Sequence, residues 1–127
     1  MYTFKKEERL CNKKLIDGLY HNGSSFLCYP FKVSWLFTDE SQPACVQVLF
    51  AVSKKRFKKA VDRNLLKRRM REAYRLNKQQ QLYDCLTTAG KKIVLSVSYI
   101  GNEINTYDVI EKKMQKLLTQ LNNKVNL

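Results

Sequence analysis

Eleven of the 22 residues from Lys54 to Arg75 are Lys or Arg and two are acidic, a net of +9, while the other 105 residues together carry +4. Such a concentration of one sign attracts polyanions, and the planar fork of arginine matches phosphate. Residue types suited to other chemistry are dispersed. Asp17, Asp39, Glu40, Asp62, Asp84, Glu103 and Asp108 show no compact spacing that would hold metal ions or act as general acid and base. His21 is the sole histidine and suits a helix C-terminus better than a catalytic role. Cys11, Cys28, Cys45 and Cys85 lie far apart, with no C-x-x-C. They offer neither a metal site nor a nucleophile–base pair, and they fit thiols kept reduced in a cytoplasm. The chemistry on offer is anion binding.

The segment 53–78 contains no Gly or Pro and is rich in helix formers from Lys58 onward. At about 100° per residue from Val61, Arg63, Asn64, Lys67, Arg68, Arg71 and Arg75 fall on one continuous arc. Leu65, Leu66, Met70, Ala73 and Leu76 fall on the other side, with Asp62 and Arg69 interrupting that apolar arc and expected to reach out at its edge. Arg63, Lys67, Arg71 and Arg75 form three like-charged i, i+4 pairs, each unfavourable by some tenths of a kcal/mol. No acid lies between them on the arc, although Glu72 can pair with Arg68 or Arg75. A one-signed, arginine-rich face of this kind points to nucleic acid rather than to a merely solvated helix. Nothing resembles a helix-turn-helix, zinc finger or leucine zipper, so RNA is favoured over DNA.

The remaining elements must present that face. The chain has 127 residues, a net charge of +13, 44% hydrophobic and 11% aromatic residues, enough for one domain with its own core. No apolar run approaches the roughly 18–20 residues of a membrane span, and neither a transmembrane nor a secreted protein is expected. Residues 1–10 are polar and mixed in charge and are expected to form an extended arm. Asn12 to His21 predicts a short helix, with Leu15, Ile16, Leu19 and Tyr20 at helical spacing and Gly23 as its stop. Tyr29–Phe37 and Ala44–Val52 predict strands joined as a hairpin by the turn at 38–43; the first is either one strand or two with a bend at Pro30. A polar connection from Asn77 to Lys92 leads to a strand, Ile93–Tyr99, that Gly101 and Asn102 end. Thr106 is placed to cap a last helix with an apolar stripe of Ile110, Met114, Leu117 and Leu121. The order α-β-β-(β)-α-β-α predicts an α+β sandwich of helices against a small sheet.

The residues VSKK at 52–55 and AVDRNLLKRRMREAYR at 60–75 resemble the signature of the bacterial ribonuclease P protein component. That family's pattern, A-x-x-R-N-R-x-K-R-x-x-R-E, is met by Ala60, Arg63, Asn64, Lys67, Arg68, Arg71 and Glu72. Phe4, Lys5, Arg9 and Leu10, the short helix ending at Gly23 and the Ser25 beyond it also agree. Leu65 departs from the pattern, standing where the family has a third arginine, and Arg68 or Arg69 is a candidate to replace that contact.

The resemblance implies a two-layer α/β sandwich with a four-stranded mixed sheet, three helices and a left-handed crossover through the basic helix. It implies a monomeric, cytoplasmic protein that binds a catalytic RNA and precursor tRNA, from which the holoenzyme removes the 5′ leader. Catalysis and the required Mg2+ would belong to the RNA, with no cofactor held by the protein alone. Lys54, Lys55, Arg56, Lys59, Arg63, Asn64, Lys67, Arg68, Arg71 and Arg75 would contact RNA. Ile16, Tyr20 and Phe31, with Lys13 nearby, would line a cleft for the single-stranded leader. For such a cleft, aromatic faces beside positive charge suit variable single-stranded sequence. Phe26, Trp35 and Tyr99 are most simply core residues. A ribosomal-protein-like RNA binder accounts for charge and size equally well, but not for the motif spacing. A protein-only nuclease lacks the carboxylates it would need.

Overall fold

Six of the seven side chains of Ile93–Tyr99 are buried, and a strand covered on both faces belongs in the middle of a sheet. The computed structural model describes residues 8–38, 45–78, 82–83 and 90–125. It contains α1 (Lys13–Asn22), β1 (Ser24–Cys28), β2 (Phe31–Phe37), β3 (Val46–Val52), α2 (Ala60–Lys78), β4 (Ile93–Tyr99) and α3 (Tyr107–Val125). The four strands form one mixed sheet in the order β1-β2-β4-β3. β4 runs antiparallel to β2 and parallel to β3. The α+β class, the three helices and the four strands are those expected.

The hairpin expected between β2 and β3 does not form. β4 lies between them, because its nearly unbroken apolar sequence needs cover on both sides, whereas β3 alternates buried and half-buried positions. The antiparallel hairpin is instead β1 with β2, turning at Tyr29 and Pro30 across a cis peptide bond. The bend at Pro30 therefore separates two strands. Ser24–Cys28, outside the strand expected from Tyr29 onward, is half of that hairpin. Most of the turn expected at 38–43, with Asp39 and Glu40, lies outside the described residues, as do Phe4, Lys5, Ala44, Asp84 and Cys85.

Alternation along the strands sorts the core into two layers. Phe31, Val33 and Trp35 of β2, with Ile93, Leu95, Val97 and Tyr99 of β4, face α2 and α3. The α3 stripe is buried as expected, extended by Leu118 and Val125, and Thr106 precedes its first turn with its carbonyl accepting from the Ile110 N–H at 3.1 Å. Val94 faces the other way, against Leu19 of α1 and Leu10, with Leu15, Ile16, Leu36 and Leu49 packed around them. Asn12 caps α1, its side-chain oxygen accepting from the N–H groups of Lys14 and Leu15 at 2.9 and 3.3 Å. Gly23 closes it by donating to the Leu19 carbonyl. A Cβ at Gly23 would stand 2.4 Å from that same oxygen.

The expected polar arm is docked over residues 8–10. Arg9 bridges Val48 in parallel, and the Leu10 N–H donates to the Val48 carbonyl at 3.0 Å. The outer edge of β3 carries unpaired backbone groups, and this segment satisfies part of them while burying Glu8 and Leu10. The connection expected to be polar likewise contributes Leu82 and Tyr83 to the core.

Candidate nucleic-acid interface

α2 enters from a loop anchored by one aromatic side chain. Phe57 is buried, its ring edge-on to Tyr99 at 5.8 Å. The Phe57 N–H donates to the Ser53 carbonyl at 3.1 Å, and the Ser53 hydroxyl accepts from the Lys55 N–H at 3.1 Å. Around this anchor Lys54, Lys55, Arg56, Lys58 and Lys59 are exposed. Arg56 is steadied by the Asn102 side chain at 2.8 Å. The helix begins at Ala60, two residues later than the sequence suggests, with Lys59 supplying the first carbonyl to the Arg63 N–H at 3.2 Å.

Leu66, Met70, Ala73 and Tyr74 of α2 are buried, whereas Asn64, Arg68 and Arg71 are exposed and Arg63, Lys67 and Arg75 half-buried. The arc expected from the wheel is therefore the outer face of the helix. Three of its members do more than wait for a ligand. One Arg63 guanidinium nitrogen donates to the Phe57 and Lys58 carbonyls, both at 2.8 Å, which ties the loop to the helix. Arg71 Nε donates to the Lys67 carbonyl at 3.3 Å. Arg75 is ion-paired with Glu72 at 2.5 and 3.1 Å. The charge repulsion expected along the arc is thus relieved at its last member, because Glu72 sits three residues before Arg75 and reaches it. The hydrogen bond from Arg75 holds the Glu72 carboxyl below the usual carboxylate range.

Leu65 is half-buried, turned toward the apolar side. Of its two candidate replacements, Arg69 donates to the Asn105 carbonyl at 2.5 Å and braces the loop before α3. Arg68 is exposed on the outer face.

The second set of expected residues divides. Lys13 is exposed in the first turn of α1, Ile16 packs against the α1 side of the sheet, and Tyr20 is 56% exposed. The Tyr20 hydroxyl is 3.1 Å from Ser96 Oγ on β4. Phe31 does not join them. It is fully buried on the opposite face of the sheet, edge-on to Tyr99 at 6.0 Å, because β2 turns its odd-numbered side chains toward α2 and α3. The side chains that share the Tyr20 face are the even-numbered ones of β2 and β4 and the odd-numbered ones of β1 and β3. Leu27, Lys32, Ser98 and Ala51 form one row across the four strands, and Ser25, Ser34, Ser96 and Leu49 the next. Lys32 is exposed and Leu27 is 67% exposed. The polar residues within FKVSWLF were the available signal: a strand with Phe31, Val33 and Trp35 in the core must present Lys32 and Ser34 on its other side.

The acidic and histidine side chains stay apart. Among the described residues no three His, Cys, Asp or Glu side chains come together. His21 Nδ1 lies 2.8 Å from the Asp17 carbonyl, within the last turn of α1. Also among the described residues, no helix is long and apolar enough to cross a membrane.

Comparison with known proteins gives these surfaces a family. Residues 4–122 match the family model described as Ribonuclease P. The chain is 34% identical over 120 residues to the ribonuclease P protein component of Porphyromonas gingivalis, an alignment covering 94% of this chain and 87% of that protein. It is 35% identical over 125 residues to the one from Chlorobium phaeobacteroides, covering 91% and 86%. The fold superposes on the RNase P protein of Thermotoga maritima with a TM-score of 0.70 at 23% identity, covering 89% of this chain and 96% of that one. For the Staphylococcus aureus RNase P protein the TM-score is 0.67 at 22% identity, covering 90% and 94%. A generic ribosomal-type RNA binder does not account for this agreement; the chain belongs to the ribonuclease P protein component family.

Proposed function

We propose that the chain is the protein subunit of a ribonuclease P ribonucleoprotein, which binds the catalytic RNA through the outer face of α2 and takes part in the 5′ maturation of tRNA. The observation that carries this is the exposed row of Asn64, Arg68 and Arg71 with half-buried Lys67, next to the cationic loop 54–59, on a helix that matches the family's motif. The sheet face beside Tyr20, with Lys32, Leu27 and the serines of β2 and β4, receives the single-stranded 5′ leader of precursor tRNA. Its exposed ring, apolar surface and cation supply what a sequence-tolerant single-strand site needs. The RNA subunit performs the hydrolysis and holds the Mg2+ it requires; among the described residues the acidic side chains of this chain do not converge on a site for that ion. The protein works in the cytoplasm and is monomeric before it meets RNA.

Mixing the chain with catalytic RNA and precursor tRNA at low magnesium is the test. Cleavage that requires both protein and RNA is expected. Cleavage by the protein alone would make it a nuclease in its own right, and binding without any effect on cleavage would make it a general RNA binder.

A further inference from the structure

The docked N-terminal segment encloses a groove of about 230 Å3 against the flank of α2. Arg9, Leu10 and Cys11 form one wall, residues 48–50 of β3 the floor, and Lys67 and Arg71 the other wall. We propose that this groove seats a single unpaired RNA base, with the phosphates on either side of it held by Lys67, Arg71 and Arg9. The inference rests on the reading of the chain as an RNA binder and adds a site for one nucleotide to it.

Size, surface and charge each bear on the occupant. The groove is smaller than the roughly 300–1,000 Å3 of sites that enclose a drug-sized ligand, so a single base fits its scale and a folded RNA element does not. Its floor is the apolar middle of β3, against which the face of any base can rest; stacking and apolar contact of this kind tolerate sequence. The rim is cationic. Lys67 and Arg71 are one helical turn apart on the same face. Arg71 is oriented through Nε by the Lys67 carbonyl, and among the described residues its two terminal guanidinium nitrogens make no hydrogen bond, which leaves a fork suited to phosphate. A base inside a duplex cannot reach the floor, since its faces are stacked. A duplex meets the rim alone.

The groove is also built in advance of any ligand. The hydrogen bond from Leu10 to Val48 and the ion pair between Glu8 and Lys78 fix the N-terminal wall to β3 and to the end of α2. A wall held in this way loses little freedom on binding.

The test uses the full chain and two RNA hairpins with the same stem, one carrying a single bulged 2-aminopurine and one fully paired. The bulged hairpin is expected to bind about tenfold more tightly, in line with the contribution of one stacked base, and its fluorescence to change on binding. Cys11 is exposed, so Cys11→Trp fills the groove from outside the core and should abolish the preference, while Cys11→Ser should retain it. Equal affinity of the unmodified chain for the two hairpins would overturn the inference without any variant and leave RNA binding standing. A preference that survives in a folded Cys11→Trp protein would do the same. Failure to bind either hairpin would overturn both the groove and the reading beneath it.

Discussion

The Glu8 carboxylate meets the Lys78 ammonium inside the protein, seventy positions away along the chain, with both side chains almost wholly shielded from water. Tyr83 donates its hydroxyl to the same Glu8 oxygen at 2.7 Å, and the Lys78 ammonium lies 5.0 Å from the centre of the Tyr83 ring. This cluster fastens the N-terminal segment to the last turn of α2. Glu8→Ala or Lys78→Met alone removes one member of a buried ion pair and should cost about 3–5 kcal/mol of stability. Replacing both, as Glu8→Leu with Lys78→Met, should recover most of that loss. Urea denaturation of the three variants measures it.

Arg63 and Lys67 are neighbours on one face with different duties. Lys67→Ala should weaken RNA binding and reduce the salt slope by about 0.7–0.9 per lost phosphate contact, with no change in melting temperature. Arg63→Ala should also lower the melting temperature, because it removes the two hydrogen bonds to the Phe57 and Lys58 carbonyls, worth together about 1.5–3 kcal/mol. Salt titrations of binding beside thermal melts separate the two effects. RNA binding by Arg63→Ala and Lys67→Ala that matches the unmodified chain would refute the placement of the interface on α2.

Glu72 holds Arg75 at neutral pH. Glu72→Gln should remove the carboxylate charge beside that guanidinium, tighten RNA binding and steepen the salt slope by up to about one phosphate equivalent. The folded-state carboxyl lies below its ordinary value, so the stabilisation from the pair is complete above the unfolded carboxylate range and is lost as pH falls through the folded value. The pair is in contact with solvent, which screens it, so its removal should change stability little.

Tyr20, Lys32 and Phe31 should separate cleanly under substitution. Tyr20→Ala and Lys32→Ala should weaken binding of precursor tRNA with a leader and leave mature tRNA binding unchanged, since Tyr20 of α1 and Lys32 of β2 are both exposed on the same side of the sheet. Phe31→Ala should instead destabilise the fold by about 3–5 kcal/mol, the cost of truncating a buried aromatic ring. Leader-length series for the first two and a denaturation curve for the third make the comparison.

Alkali should unfold the protein through its tyrosines. Burial pushes the Tyr74 and Tyr83 hydroxyls well above their ordinary value, and Tyr107, which also donates to Glu111 at 3.1 Å, is pushed up to about 12. Each keeps its proton in the folded chain after the unfolded chain has released it. Stability is therefore complete below about pH 10 and falls above it, by about 1.4 kcal/mol per pH unit for each of the buried Tyr74 and Tyr83 and by less for the more exposed Tyr107. Urea midpoints measured between about pH 8 and 11, with phenolate absorbance, test this.

Much of this was legible in the residues. The basic arc of α2 follows from 100° spacing and appears on the outer face of the helix, and the bounds of β4 coincide with Ile93 and Tyr99. What escaped depends on long-range partners. Strand order is set by which strand can be covered on both faces, and the apparent neighbours Tyr29–Phe37 and Ala44–Val52 reveal nothing of the strand inserted between them. Nothing in the sequence links Glu8 to Lys78; the fold places each beside the other. Phe31 is an aromatic near Tyr20 in sequence, yet the one-residue alternation of β2 sends it to the opposite side. The sequence allows Glu72 to pair with Arg68 or Arg75, and the fold pairs it with Arg75.

The central claim is that this protein contributes to tRNA maturation by binding RNA through α2. Its most direct measure is the magnesium midpoint for cleavage of precursor tRNA by the catalytic RNA, taken without protein, with the chain, and with a Lys67→Ala, Arg68→Ala and Arg71→Ala triple variant. The chain should lower the midpoint, and the folded triple variant should return it toward the protein-free value. The same midpoint with and without the chain would contradict the account.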